Sequence, residues 1–226
     1  MESQTVKVAG LEFTVLPGVA PVTEGSRLLV EQLDVLPGQR ALDLGTGCGV
    51  QAVVAALRGA TVVATDVVAE CLACAQRNAE RHGVTGGIDF RLGPGFDPVA
   101  GARFDCIVAS PPQLPPRTEV PSAIAEAEQS GRAVLDLVLR RSSEYLQPGG
   151  YLLLVQFTFH GVQHSLEVLH STGLRPSVVS QRWSRTQSGS NCLAQLTAHG
   201  LPDGIQQRED GVWFERTVLR ATKAPA

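Results

Sequence analysis

Residues 40–50 read RALDLGTGCGV, and this stretch decides the fold of the chain. Ala41, Leu42 and Leu44 form a short apolar strand, which the glycines at 45, 47 and 49 interrupt. An apolar helical run over residues 50–57 follows at once. A strand, a glycine turn and a helix start together place backbone N–H groups where a ligand can approach without meeting a Cβ atom. The stretch therefore predicts a binding turn at the carboxyl end of a buried strand.

The rest of the chain alternates between strand and helix patterns. Strands are predicted at residues 11–16, 40–44, 61–65, 88–92, 104–109, 150–157, 175–183 and 212–221, and helices at 24–36, 50–58, 67–83, 122–146, 164–172 and 192–198. This alternation predicts an α/β fold with a doubly wound, seven-stranded, Rossmann-like sheet. The two late strands lie close in sequence and indicate an antiparallel hairpin at one edge. We expect one domain over 1–226, with an N-terminal lid and helix segment (1–36) and a catalytic core (37–226).

Composition sets limits on the class of protein. The 226 residues are 43% hydrophobic and 18% charged, which is typical of a globular chain. A net charge of −3 argues against nucleic acid as the main partner. No apolar segment is long enough for a membrane span, so we expect a cytoplasmic protein. The five cysteines are expected to be reduced, and the pair Cys71 and Cys74 lacks the further ligands of a metal site.

An acid at the end of the second strand of the predicted sheet turns the glycine turn into a candidate nucleoside site. Asp66 follows Gly45 by 21 positions, and such a carboxylate accepts hydrogen bonds from ribose hydroxyls. Dinucleotide binding requires GxGxxG, but Val50 occupies the last glycine position, and there is no large second domain for hydride transfer. The alternative pattern, DxGxGxG, is present in full as Asp43, Gly45, Gly47 and Gly49.

With these residues in place, the sequence resembles the class I S-adenosylmethionine-dependent methyltransferases. It looks most like the methyltransferase small domain group and the related release-factor glutamine methyltransferases. The matching pieces are LPGV at 16–19, TEGSRLL at 23–29, the glycine turn, FD at 104–105 with SPP at 110–112, and GR at 131–132 ahead of PGG at 148–150. The resemblance implies a methyltransferase with S-adenosylmethionine as its cofactor.

The resemblance also implies which residues hold the cofactor. Asp43 and the 45–49 backbone would hold the methionine moiety, Asp66 the ribose, and Leu92 and Gly93 would flank the adenine. Relatives often carry an acid at the Gly93 position, where it reads the adenine amino group. The implied cofactor residues are Asp43, Gly45, Thr46, Gly47, Gly49, Asp66, Val67, Leu92 and Gly93.

The predicted catalytic residues follow the fourth strand, as the tetrad Ser110, Pro111, Pro112 and Gln113. In the relatives this tetrad is Asn-Pro-Pro followed by an aromatic residue. The asparagine oxygen and a main-chain carbonyl there accept hydrogen bonds from a planar NH2 group, while the aromatic ring stacks on it. Here both reading side chains differ. We therefore expect another acceptor, a small metabolite or a peptide side chain, with nitrogen favoured over oxygen.

Three further residues are candidates for substrate binding. His160 lies just past the fifth strand, where it would touch substrate or act as a base, although a surface loop histidine fits equally well. Thr23 and Glu24 match the relatives' N-terminal segment that closes over the cofactor, while simple helix capping is the competing interpretation.

The hypothesis is an S-adenosylmethionine-dependent N-methyltransferase acting on a small molecule or a peptide side chain. The first alternative is a modifier of a protein glutamine or an RNA base. The second is a protein that binds S-adenosylmethionine without catalysis. The sequence leaves the acceptor, the choice of N or O, and the oligomeric state open.

Overall fold

The structure, a computed structural model, describes residues 3–113, 132–185 and 202–226. Its strands are β1 (Gln4–Val8), β2 (Leu11–Val15), β3 (Arg40–Leu44), β4 (Thr61–Asp66), β5 (Ile88–Leu92), β6 (Phe104–Ala109), β7 (Leu146–Phe157), β8 (Leu174–Arg185), β9 (Ile205–Arg208) and β10 (Gly211–Lys223). Its helices are α1 (Glu24–Gln32), α2 (Val50–Leu57), α3 (Ala69–Arg81), α4 (Ala133–Tyr145) and α5 (Val162–Ser171). The predicted helix at 192–198 and the first part of the one at 122–146 lie outside the described residues.

One mixed sheet forms the centre of the fold. Its strand order is β5-β4-β3-β6-β7-β10-β8, and β9 pairs with β10. The strands from β5 to β7 in this order are parallel, while β10 is antiparallel to β7, β8 and β9. The doubly wound sheet with an antiparallel edge is therefore confirmed. Strand β9 was not predicted because its sequence, IQQR, is polar and mostly exposed.

Helices cover both faces of this sheet. Alternate residues of one strand belong to opposite cores: Ala41 packs in the cluster that contains residues of α1 to α3, and Leu42 packs in the cluster that contains residues of α4 and α5. A parallel strand that is buried on both faces reads as a continuous apolar run, which is why β3 and β6 were found from sequence. A separate hairpin of β1 and β2 packs against α3.

Helix α1 is shorter than predicted. It ends at Gln32, because Leu33 adopts an extended conformation as the C-cap residue. The apolar position Leu36 is 58% exposed and belongs to a turn in which its N–H donates to the side chain of Gln39, at 2.8 Å. Arg58 donates to the carbonyls of Leu33 and Val30 and satisfies the end of the helix. The chain must turn here to enter β3, and that requirement overrides the helical spacing.

The parallel strands bring their carboxyl ends to one edge of the sheet. The glycine turn and Ser110 follow β3 and β6 at this edge, and Asp66 and Leu92 are the last residues of β4 and β5, as in other open α/β folds with a ligand crevice. Strand β10 pairs Arg216 with Phe157, the last residue of β7, so residues 211–215 extend beyond the end of β7. The antiparallel pair of β8 and β10 thus extends past the carboxyl edge beside the end of β7.

Composition also led to predictions about membrane spans, cysteines and metal sites. In the described ranges, no helix is long and apolar enough to cross a membrane. Cys48, Cys71, Cys74 and Cys106 are buried free thiols, while Cys192 lies outside those ranges. Within the same part of the chain, no three His, Cys, Asp or Glu side chains gather as a group that could hold a metal ion. The absence of a metal stays a prediction.

Candidate active site

The three glycines of the turn serve two different purposes. All have positive φ angles, +79° at Gly45, +55° at Gly47 and +86° at Gly49. A Cβ atom built on Gly45 or Gly47 would meet nothing within 4 Å, whereas one on Gly49 would lie 2.8 Å from the Cβ of Ala75 in α3. Gly45 and Gly47 therefore keep a surface open for a ligand, and Gly49 allows close packing of the turn on α3.

Asp43 is buried beneath the turn, with 3% of its surface exposed. Its Oδ2 accepts hydrogen bonds from the hydroxyl of Thr46, at 2.7 Å, and from the N–H of Ala52 in α2, at 3.0 Å. Burial raises the pKa of Asp43 to about 7, although both hydrogen bonds lower it. Asp43 thus links the turn to the first turn of α2. Contact with the methionine moiety stays a prediction.

Asp66 connects the turn to the start of α3. Its Oδ2 accepts a hydrogen bond from the N–H of Gly47, at 2.9 Å, and its Oδ1 accepts one from the N–H of Val68, at 3.0 Å. Asp66 therefore already has main-chain partners in the turn and at the N-cap of α3. Each carboxylate oxygen has a second lone pair, so both can still accept a ribose hydroxyl.

An exposed apolar pair lies beside Asp66, at the position expected for an adenine ring. Val67 is 44% exposed and Leu92 is 59% exposed. Gly93 leaves no room for a side chain at its own position: its φ is +149°, and a Cβ atom there would lie 2.7 Å from the Cγ of Pro98. The N–H of Gly93 donates to the carbonyl of Asp66, at 2.9 Å, which keeps the ends of β4 and β5 together.

These features fit S-adenosylmethionine. The open surface over Gly45 and Gly47 leaves room that a side chain would fill. The carboxylate of Asp66 lies between this surface and the apolar pair formed by Val67 and Leu92. The open backbone surface, the carboxylate and the apolar pair follow one another in the same order as the methionine, ribose and adenine parts of the cofactor.

Gln113 holds residues 110–113, the proline loop after β6, against the end of β7. Its Oε1 accepts a hydrogen bond from the N–H of Phe157, at 2.8 Å, and its Nε2 donates to the carbonyls of Val155, at 3.0 Å, and Pro111, at 3.2 Å. The side chain is 6% exposed and substitutes for the backbone of a neighbouring strand. Both amide hydrogens are thus engaged, which favours a positioning function over contact with the acceptor. Its catalytic assignment stays a prediction.

Ser110 and the two prolines complete the predicted tetrad. Ser110 is half-buried, Pro111 is buried and Pro112 is exposed. Since neither proline has an N–H group, the loop presents carbonyl oxygens to its surroundings. The carbonyl of Pro111 receives one hydrogen bond from Gln113 and retains a second lone pair.

His160 supports the same loop from the short 3₁₀ turn Thr158–His160. Its Nε2 lies 2.7 Å from the carbonyl oxygen of Gln113, and because a carbonyl only accepts, this nitrogen carries the proton. Burial lowers the pKa of His160, and the charge of Arg132 lowers it further, against the opposing effects of the Gln113 bond and Asp136. The ring is therefore neutral near pH 7, with the lone pair on Nδ1. Arg132 donates to the carbonyl of His160 and pairs with Asp136, at 2.7 Å.

The structure also places Thr23 and Glu24 at the carboxyl edge. Thr23 is the N-cap of α1, and its hydroxyl accepts from the N–H of Ser26, at 3.4 Å. Glu24 pairs with Arg182 of β8, at 2.9 Å. A Cβ atom on Gly25 would lie 3.2 Å from Val155, so α1 begins directly against the end of β7. Both residues have structural partners, and their contact with substrate stays a prediction.

Asn78 is a site residue that the sequence patterns did not reveal. It is 1% exposed on α3, its Oδ1 accepts from the N–H of Thr14, and its Nδ2 donates to the carbonyls of Thr14 and Cys48, each at 2.8 Å. It thereby connects the N-terminal hairpin to the glycine turn. An asparagine inside a helical pattern gives no signal of such a contact, because its partners are distant in sequence.

Residues 11–173 match the family described as methyltransferase small domain. The chain belongs to that family. A release factor glutamine methyltransferase from Geobacter sulfurreducens is 35% identical over 164 residues, which cover 66% of this chain and 57% of the relative. The chain spans less than two thirds of the length of the first curated relatives that it matches.

Solved structures with the same fold agree with this family. A methyltransferase from Pyrococcus furiosus has a TM-score of 0.65 at 20% identity, covering 96% of this chain and 90% of its own. A T. thermophilus 16S rRNA N2 methyltransferase, solved with AdoMet and guanosine, has a TM-score of 0.64 at 22% identity, covering 98% of this chain and 50% of its own. The predicted class I methyltransferase fold, and S-adenosylmethionine as the family's cofactor, are confirmed.

Proposed function

We propose that this chain acts as a single catalytic domain that methylates the side-chain amide nitrogen of a glutamine in a protein, with S-adenosylmethionine as methyl donor. The observation that carries the proposal is the proline loop after β6, which Gln113 and His160 hold beside the glycine turn. The names of the curated relatives support a glutamine acceptor. They favour it over the small metabolite, which was one of the two acceptor classes that the sequence alone suggested.

The cofactor side follows from the geometry of the turn. Bound S-adenosylmethionine supplies a methyl group that its sulfonium already activates. The backbone at Gly45 and Gly47 would hold the methionine part, the carboxylate of Asp66 the ribose hydroxyls, and Val67 with Leu92 the adenine. These residues bind and orient, and none of them needs to exchange a proton.

The acceptor side is built to orient a planar NH2 group. Such a group offers two donors, and Ser110 and Pro111 offer two acceptors, the hydroxyl oxygen and the main-chain carbonyl. With both hydrogens engaged, the nitrogen is aimed at the methyl group, and this near-attack geometry accounts for most of the rate. Because the ring of His160 is neutral and its Nε2 donates to Gln113, its Nδ1 would be free to accept a proton that leaves the nitrogen.

The direct test uses a protein acceptor. A release factor of Geobacter sulfurreducens, produced without methylation, is incubated with the chain and S-adenosylmethionine, and mass spectrometry locates any added methyl group. We expect one methyl group on a glutamine side chain, and none when that glutamine is replaced by alanine. Asp66→Ala is the matched variant, which should lose both the binding of S-adenosylhomocysteine and the transfer.

Other outcomes would contradict the proposal in distinguishable ways. Binding of S-adenosylhomocysteine without methylation of any acceptor would favour the non-catalytic alternative. Methylation of an RNA base, or of a small metabolite but not of protein glutamine, would replace the acceptor while keeping the enzyme class.

A further inference from the structure

Arg216 lies at the carboxyl edge of the sheet, next to the proline loop. Strand β10 pairs it with Phe157, the residue whose N–H is bound by Gln113. The guanidinium carbon lies 4.6 Å from the centre of the Phe157 ring. Phe157 is therefore the one residue that lies between the guanidinium of Arg216 and the hydrogen bonds by which Gln113 holds the proline loop.

The side chain of Arg216 rests on an aromatic cluster made of Phe157, Phe159 and Phe214. The ring centres of these three residues are 5.2 to 5.7 Å apart. Phe214 is 2% exposed, and Arg216 itself is partly buried. Such surroundings remove water from a guanidinium without replacing its hydrogen bonds, and burial lowers the pKa of Arg216.

The polar partners of Arg216 do not match its five donors. In the part of the chain that the structure describes, it donates to one neutral group, the hydroxyl of Ser184, and forms no ion pair. Glu24 attracts it only at longer range, because Arg182 binds Glu24 at 2.9 Å and Glu31 at 2.8 Å. The acids of α1 are thus already paired.

Arg58 and Arg132 show what a satisfied arginine looks like in the same fold. Arg58 donates to two main-chain carbonyls, and Arg132 pairs with Asp136 and donates to the carbonyl of His160. Arg216 has neither kind of partner among the described residues, although it is next to the acceptor loop. A half-desolvated guanidinium is well prepared to bind an oxyanion, since its donors match both oxygens of a carboxylate.

We propose that Arg216 is a specificity residue that binds the carboxylate of an acidic side chain near the methylated position of a peptide acceptor. The aromatic cluster holds the guanidinium plane, and the substrate supplies the carboxylate that Arg216 does not receive from the described residues. The inference rests on the proposed function only in taking the acceptor to be a peptide.

A binding experiment tests this inference without turnover. Labelled glutamine peptides carry one glutamate that is moved along the positions flanking the glutamine, and each has a neutral counterpart with glutamine at that position. Fluorescence anisotropy in the presence of S-adenosylhomocysteine gives the affinities. We expect the chain to bind one acidic peptide roughly 10-fold or more tightly than its neutral counterpart, as for a charge-assisted hydrogen bond that replaces water.

Two variants and one control locate the effect. Arg216→Gln should abolish the preference, and Arg216→Lys should keep part of it, because a lysine retains the charge but not the paired donors. Arg208→Gln is the matched control, since Arg208 is an exposed arginine of β9 that lies 4.3 Å from the ring of Trp213. It should leave the preference intact. Thermal unfolding and affinity for S-adenosylhomocysteine confirm that each variant is folded.

Three results would overturn the inference: no acidic preference in the unaltered chain at any position, a preference that survives in a folded Arg216→Gln variant, or stronger binding of phosphoserine peptides than of glutamate peptides. If Arg216→Gln does not fold, the unaltered chain and Arg216→Lys decide the matter by the same comparison. If the chain methylates glutamine but does not prefer acidic peptides, only this inference is contradicted. If it prefers acidic peptides but does not methylate glutamine, only the proposed function is contradicted.

Discussion

The two halves of the carboxyl edge are stabilised in different ways. On the proposed cofactor side, the surface that would face the ligand consists of backbone at Gly45 and Gly47, and Asp66 bonds to the N–H of Gly47 in that backbone. On the acceptor side, the loop is held by side chains, because Gln113 bonds to β7 and His160 bonds to Gln113. The spacing of glycines along the sequence indicates the backbone geometry of the turn. By contrast, different side chains can hold a loop in place by hydrogen bonds without any change in the path of the backbone. The glycine turn therefore keeps the DxGxGxG pattern in full, whereas Ser110 and Gln113 depart from the tetrad that the resemblance implies.

The largest effect that tests this comparison is expected at Gly49. Gly49→Ala would place a Cβ atom 2.8 Å from Ala75 at a φ of +86°, so overpacking and backbone strain add. We expect a loss of about 4 kcal/mol in the free energy of unfolding, measured with urea. Gly47→Ala is the matched control. Its Cβ atom meets nothing within 4 Å, so it should cost only about 1 kcal/mol in stability and act mainly on the affinity for S-adenosylmethionine.

Equal losses of stability in the two glycine variants would contradict the division of the turn into a packing glycine and a ligand-facing glycine. So would unchanged cofactor affinity in the folded Gly47→Ala variant.

The second effect is expected at Gln113, whose side chain holds the proline loop of the acceptor half. Gln113→Ala leaves the N–H of Phe157 and the carbonyl of Val155 without this partner and frees the proline loop. Because methyl transfer depends on near-attack geometry, we expect turnover to fall by about 100-fold while the affinity for S-adenosylmethionine changes little. Steady-state kinetics and calorimetric titration separate the two quantities.

Ser110→Ala serves as the companion variant, since Ser110 is the predicted hydroxyl acceptor and its replacement leaves the hydrogen bonds of Gln113 intact. It should also lower turnover more than cofactor affinity, but without loss of stability. A parallel loss of turnover and cofactor affinity in Gln113→Ala would show that the two halves are not separate.

The sequence was sufficient where structure depends on neighbours along the chain. The strand boundaries around the glycine turn, the N-cap at Thr23 and the acid at Asp66 all follow from local patterns. Gln113 was interpreted as a reading side chain because its partner Phe157 lies 44 positions away, and Asn78 was not singled out because Thr14 lies 64 positions away. Such contacts depend on which strand ends meet in space, and no spacing along the chain contains that information.

A third prediction concerns the pH dependence of the cofactor half. Burial raises the pKa of Asp43 from 3.8 to about 7, so the folded state holds a proton that the unfolded state has released between these pH values. Stability should therefore fall as the pH rises from about 4 to 7. Asp43→Asn removes this titration while keeping an oxygen for Thr46 and Ala52. We expect it to be about 2 kcal/mol more stable than the unaltered chain at pH 8, when no cofactor is bound.

At pH 4.5 the same two proteins should unfold at similar urea concentrations, because Asp43 is then protonated in the folded state. If Asp43→Asn is instead less stable at both pH values, the carboxylate contributes more through its hydrogen bonds than burial costs it.

The smallest expected effect belongs to His160 in the acceptor half, and it has the opposite pH dependence. Burial lowers its pKa below 6.5, so the unfolded state takes up a proton before the folded state does. The contribution of the neutral ring to stability is complete above pH 6.5 and is lost as the pH falls toward the lowered value. His160→Gln keeps a side-chain N–H for the carbonyl of Gln113 but does not titrate. The difference in unfolding free energy between the two proteins should therefore shift by about 1 kcal/mol in favour of the variant between pH 7.5 and 5.5. A shift in favour of the histidine would mean that Asp136 dominates its surroundings and that the ring is charged, which would remove Nδ1 as a proton acceptor.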